Sequence, residues 1–179
     1  PDAPSILGCR RCTGFDNRWN RLAGKSMHMS GDTCLVTGAM GCLGSWVIRL
    51  LLEDGCQVVA FDISEDDRRH QLVIDSEDRK QIKYVKGDLT DSDQVISAAE
   101  GVSRIIHLGA LQVPFCRADR PMGAAVNVVG TVNVFEAALR YSIEHLVYAS
   151  SVAVFGNAED YEMSTIEPEE RRLPTTLYG

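Results

Sequence analysis

The chain of 179 residues is 45% apolar and 24% charged, ordinary for a chain that buries one full core, and no internal repeat or low-complexity tract interrupts it. Its formal net charge of −7 argues against a nucleic-acid partner, because phosphate backbones are held by clustered Lys and Arg. No apolar run reaches 18 residues, so no membrane span is expected, and the six scattered cysteines do not read as a disulfide framework, which points to a reducing cytoplasm.

Residues 1–28 stand apart. They hold five basic residues against two acidic ones in a chain that is acidic as a whole, and they lack the apolar centre of a signal peptide. They read as an extension to a domain that begins at residue 29. Cys9 and Cys12 form a CxxC, but no second pair completes a zinc site, so no metal is expected.

From residue 29 short apolar runs alternate with amphipathic segments, the pattern of a parallel sheet with helices on both faces. A first strand is predicted over residues 33–37. It runs into Gly38, Gly41 and Gly44 and a helix predicted over residues 42–54, with Gly55 as its stop. A strand that turns through glycines into a helix presents backbone N–H groups, here of Cys42 and Leu43, and a positive dipole end to a phosphate. Rossmann-type domains hold a dinucleotide pyrophosphate this way. The second strand, residues 57–61, ends at Asp62, 18 residues past Gly44, where that fold places the acid that bonds the adenosine ribose 2′-OH; Ile63 lies beside it. A carboxylate there, with no Arg directly after it, predicts NAD rather than NADP. A short helix is expected over residues 64–70.

Further strands are predicted over residues 82–86, 104–108 and 144–150, and helices over 91–100, stopped by Gly101, and 122–141. With right-handed crossovers the sheet order becomes 3-2-1-4-5, an α/β, doubly wound parallel sheet that stops before a sixth strand and a substrate domain. His107 reads as a satisfied core residue, and the acidic stretch 159–174 as a solvated loop over the site. The long helix 122–141 is the expected contact if the protein forms a homodimer.

Seven segments then carry a resemblance. They are TGAMGCLG at 37–44, Asp62, GDLTD at 87–91, HLGA at 107–110, NVVGTVNVFEAA from Asn127, YASSVAVFG from Tyr148, and LYG at 177–179. Their order resembles the extended branch of the short-chain dehydrogenase/reductase superfamily, the NAD-dependent epimerases and dehydratases, over about residues 29–179. The resemblance implies that Asp88 and Leu89 bracket the adenine. Leu108, Gly109 and Ala110 let backbone approach the cofactor, with Gly109 standing where the family usually has Ala. Asn127 fixes the region after strand four. Ser150 lies by the cofactor, and Ser151 bonds the reacting substrate oxygen. Phe155 replaces the usual Tyr before the glycine.

By the same resemblance Tyr178 matches the tyrosine of the YxxxK motif, whose lysine would be residue 182, past Gly179. A free tyrosine titrates near ~10, so acting as a base near neutral pH requires positive charge beside it. The implied activity is NAD-dependent, tyrosine-assisted hydride transfer on a sugar or nucleotide sugar, by an epimerase or dehydratase. The alternatives are a simple sugar or alcohol dehydrogenase and a non-catalytic NAD-binding sensor. A sensor needs neither Ser151 nor Tyr178.

Overall fold

The computed structural model describes residues 30–162 and 165–179. The extension expected over residues 1–28, with its CxxC, lies outside the described residues. Five strands form one parallel sheet: β1 (Thr33–Thr37), β2 (Gln57–Asp62), β3 (Ile82–Lys86), β4 (Arg104–His107) and β5 (His145–Tyr148), in the order β3-β2-β1-β4-β5. The helices are α1 (Cys42–Glu53), α2 (Arg68–Val73), α3 (Ser76–Arg79), α4 (Ser92–Ala98), α5 (Val113–Ala118) and α6 (Arg120–Arg140).

Strand alternation divides the core in two. Cys34, Val36, Val58 and Ala60 face Ile48 and Leu51 of α1, while Leu35, Val59, Phe61 and Ile105 face Val95 of α4 and Val134 and Ala137 of α6. Each such large side chain, taken fully out of water, contributes roughly 1.5 to 3 kcal/mol. Burial and the pairing of Cys34 with Cys56 push the Cys34 thiol up to about 12, so it packs as a small apolar group.

Helix ends follow local chemistry. Gly55 (φ +78) closes α1, its N–H donating to the Leu52 carbonyl while Cys56 N–H reaches back to Leu51, a Schellman arrangement. The same arrangement closes α6, but there the left-handed residue is Ser142 (φ +54).

The structure corrects the expected helix over residues 64–70, which starts instead at Arg68. The residues before it are engaged in local turns: Asp62 Oδ1 accepts from Ser64 N–H, Ser64 Oγ from Asp66 N–H, and Asp66 Oδ1 from Arg68 N–H. Helices α3 and α5 were not foreseen. Pro114 in the first turn of α5 fits that position, where no intrahelical N–H is needed. Strand β5 is shorter than residues 144–150 and sits at the sheet edge with Val147 and Tyr148 exposed.

Helix α6 begins at Arg120 and is not uniform. Residues Ala125–Val129 widen into a π turn between two α segments. Gly130, Val134, Ala137 and Ala138 pack inward, and Val128, Val132, Phe135 and Leu139 are exposed. By length and composition it is the one described helix that could cross a membrane, although no single apolar run reaches 18 residues; core helices of globular domains pass the same test.

Candidate functional site

The C-terminal ends of β1 to β4 open onto one edge, and a cleft of about 280 Å³ lies there. Gly38, Asp62, Ile63, Asp88, Leu89, Gly109 and Ala110 wall it. Gly41, Cys42, Leu43 and Gly44 stand beside it as the turn and first residues of α1, outside the residues that wall the cleft. Leu108 turns its side chain away, onto the core between the sheet and α1, and brings only backbone to this edge.

The glycine turn is tight by construction. Gly38 has φ +67, and a Cβ on it would sit 2.7 Å from Gly109 N and 2.8 Å from the Leu108 carbonyl carbon. A Cβ on Gly44 would collide with the Gly38 carbonyl oxygen and lie 2.6 Å from that of Ala39. Gly41 is different: its φ is −72, and a Cβ would meet only the Gly38 carbonyl oxygen, at 3.1 Å. The first N–H groups of α1 have no intrahelical partner, Gly41 supplies no capping side chain, and no acid lies in the first turn. These features fit a pyrophosphate, an anion that needs N–H donors and close backbone approach.

Asp62 joins this turn to the cleft. Its Oδ2 accepts from Met40 N–H at 2.9 Å and its Oδ1 from Ser64 N–H at 2.9 Å, which fixes the carboxylate at the mouth of the cleft. Two neighbours on α2 hold the far side of the turn, and sequence reasoning missed both. Arg69 Nη1 donates to the Met40 carbonyl at 3.2 Å, and the buried His70 donates from Nε2 to the Ala39 carbonyl at 2.9 Å while its Nδ1 accepts from the Tyr84 hydroxyl at 3.1 Å.

A second unforeseen network fastens β1, β4 and α6. Thr131 Oγ1 donates to the Asn127 carbonyl at 2.7 Å, so it accepts from His107 Nε2 at 3.0 Å. His107 Nδ1 is then an acceptor, 2.6 Å from the Thr37 hydroxyl, and Thr37 Oγ1 in turn accepts from Leu108 and Gly109 N–H at 3.2 Å each. Burial holds this imidazole neutral and its pKa down to about 4. His107 is thus a satisfied core residue. The register pairing of Thr37 with His107 across β1 and β4 was the one signal that could have found the contact.

Asn127, on the π turn, accepts from Leu111 N–H at 2.7 Å and donates to the Leu111 carbonyl at 2.9 Å, fixing the chain after β4. It borders a second cavity of about 280 Å³ that also holds Ser150, Ser151 and Tyr178. Ala110 lines both spaces, so the cleft beside the glycine turn and the chamber with the serine and the tyrosine are neighbours at that residue. Ser151 Oγ accepts from Ala153 N–H at 3.2 Å at the start of a 3₁₀ turn and keeps its own hydrogen for donation. Residues 159–162 and 165–174 are largely exposed, and the Tyr161 hydroxyl lies 2.7 Å and 2.6 Å from the carbonyls of Phe155 and Arg171. Among the described residues no group of three His, Cys, Asp or Glu side chains is placed to hold a metal.

Comparison with known proteins agrees with this geometry. Residues 35–176 match the model of the 3-beta hydroxysteroid dehydrogenase/isomerase family. The chain is 36% identical over 143 residues to a UDP-glucose 4-epimerase of Mycolicibacterium smegmatis, covering 78% of this chain and 45% of that protein. It is 32% identical over 123 residues to the 3 beta-hydroxysteroid dehydrogenase/Delta 5-->4-isomerase of vaccinia virus, covering 68% of this chain and 34% of that one. Among solved structures, Thermus thermophilus UDP-glucose 4-epimerase in complex with NAD superposes with a TM-score of 0.70 at 26% identity, covering 82% of this chain and 46% of that one. The chain spans less than half the length of these relatives.

Proposed function

The chain belongs to the extended short-chain dehydrogenase/reductase family, and on that premise we propose that the protein carrying it is an NAD-dependent oxidoreductase of the epimerase/dehydratase type, acting on a sugar or nucleotide sugar. The observation that carries this reading is the adjacency of the glycine-turn cleft and the chamber of Ser151 and Tyr178, which share Ala110 in their walls. In this proposal the N–H groups at the start of α1 receive the pyrophosphate and Asp62 the adenosine ribose. NAD, when bound, supplies the hydride acceptor. Tyr178 takes the proton of the substrate hydroxyl, and Ser151 donates a hydrogen bond to the same oxygen and fixes its direction. A cytoplasmic location is in keeping with Cys34, Cys42 and Cys116 as free cysteines.

The steroid dehydrogenase relatives favour a second reading, a simple dehydrogenase that releases its keto product. The two differ in stoichiometry: a dehydrogenase accumulates one NADH per product, and an epimerase returns the hydride. The test is nicotinamide absorbance together with product analysis for the parent, Tyr178→Phe and Ser151→Ala. Tyr178→Phe is expected to lower kcat by about 10² to 10⁴ with NAD affinity retained. Unchanged kcat in that variant would refute the assignment.

A further inference from the structure

A third space, of about 460 Å³, adjoins the Ser151 chamber, and the two share Cys116, Leu177 and Tyr178. Arg117 and Arg120 line it, and Thr175 and Thr176 line it as well. Arg117 lies in the last turn of α5 and Arg120 is the first residue of α6, so the break between these helices brings both guanidinium groups to one opening.

Neither guanidinium has an ion-pair or hydrogen-bond partner among the described residues, whereas Arg49, Arg68, Arg79 and Arg104 each pair with a carboxylate. Asp119, between the two, caps α6 by accepting from Met122 N–H with Oδ1. Thr176 Oγ1 accepts from Gly179 N–H, which leaves its hydroxyl hydrogen to donate into the opening.

Resting on the reading that Tyr178 meets the reacting hydroxyl, we infer that Arg117 and Arg120 are a specificity pair that receives an anionic group of the substrate. Two planar guanidinium forks and a hydroxyl donor suit a phosphate or carboxylate oxygen, which accepts several N–H bonds at once. A neutral steroid would bring no charge to meet either arginine. The chemistry therefore favours the nucleotide-sugar relatives over the steroid relatives as guides to the substrate. The anion could be a diphosphate bridging sugar and nucleoside or the carboxylate of a uronic acid.

The experiment titrates the NAD-loaded full-length protein with UDP-glucose, glucuronate and the neutral steroid dehydroepiandrosterone. It compares the parent, Arg117→Gln/Arg120→Gln and the corresponding double Lys variant, with Tyr178→Phe assayed for turnover in parallel. The Gln pair is expected to weaken one charged ligand at least tenfold, to flatten its salt dependence and to leave NAD affinity unchanged, while the Lys pair recovers part of the loss. Whichever of UDP-glucose and glucuronate responds identifies the anion. Equal affinity of the parent and the Gln pair for both charged ligands overturns the inference, as does binding of the steroid alone. If Tyr178→Phe abolishes turnover while the Gln pair changes nothing, only the specificity pair falls. Turnover that survives Tyr178→Phe removes the underlying reading itself.

Discussion

His107 has a measurable consequence at the scale of one residue. Its imidazole is buried and neutral between two threonine hydroxyls, with its pKa lowered from 6.5 to about 4 by desolvation. The unfolded chain therefore binds a proton between pH 6.5 and about 4 that the folded chain refuses, so stability is full above that window and falls as pH drops through it. The loss from this group is on the order of 3 kcal/mol by pH 4. Urea unfolding at pH 7 and pH 4.5 checks it: the parent should lose more stability on acidification than His107→Asn, and equal losses would show that His107 does not titrate this way. Sequence favoured a core residue over a catalyst at His107, since it lies in a buried strand and the histidines are not at ligand spacing. Thr37 could be reached only through the register of β1 against β4, and Thr131 not at all, because that contact depends on how α6 winds past its π turn.

Among elements, the run from strand through glycine turn into helix was legible, and the structure separates the turn's members. Gly38 must be glycine for the fold, because its φ is positive and Gly109 backbone occupies the space of a Cβ. Gly41 has ordinary φ and a single tight neighbour, so its role concerns what binds there. Gly38→Ala should destabilise by more than about 1 kcal/mol, as left-handed strain and backbone collision add, and Gly41→Ala by less. Gly41→Ala should nevertheless weaken NAD, and thermal unfolding together with NAD titration of both variants measures the separation. Similar effects of the two on stability and on NAD would contradict it. The central strands β1 and β2 were readable because buried parallel strands are continuous apolar runs. Helix α2 was misplaced because Ser64 and Asp66 divert backbone donors into local turns, and α5 was missed because its six residues are too short to show a helical period.

On the scale of the whole molecule, sequence reasoning found residues far apart in the chain that the sheet brings to one edge, as an α/β topology requires. It did not find the arginine pair beside Tyr178 or the two α2 residues behind the glycine turn, since neither belongs to a motif with fixed spacing. The exposed stripe of α6, with Val128, Val132, Phe135 and Leu139, lies near the exposed edge residue Tyr148, whose ring meets that of Phe135. An apolar face of this extent favours a partner, and sedimentation is expected to find self-association that Val132→Lys/Leu139→Lys reduces. If the ends of β1 to β4 form an NAD site, the choice of cofactor there rests on Asp62. Calorimetric titration with NAD and NADP tests it most directly, in the parent and in Asp62→Ala. The parent should favour NAD by roughly 1 to 3 kcal/mol and the variant should lose most of that preference. Equal affinity of the parent for both nucleotides, or binding of neither, would contradict the account.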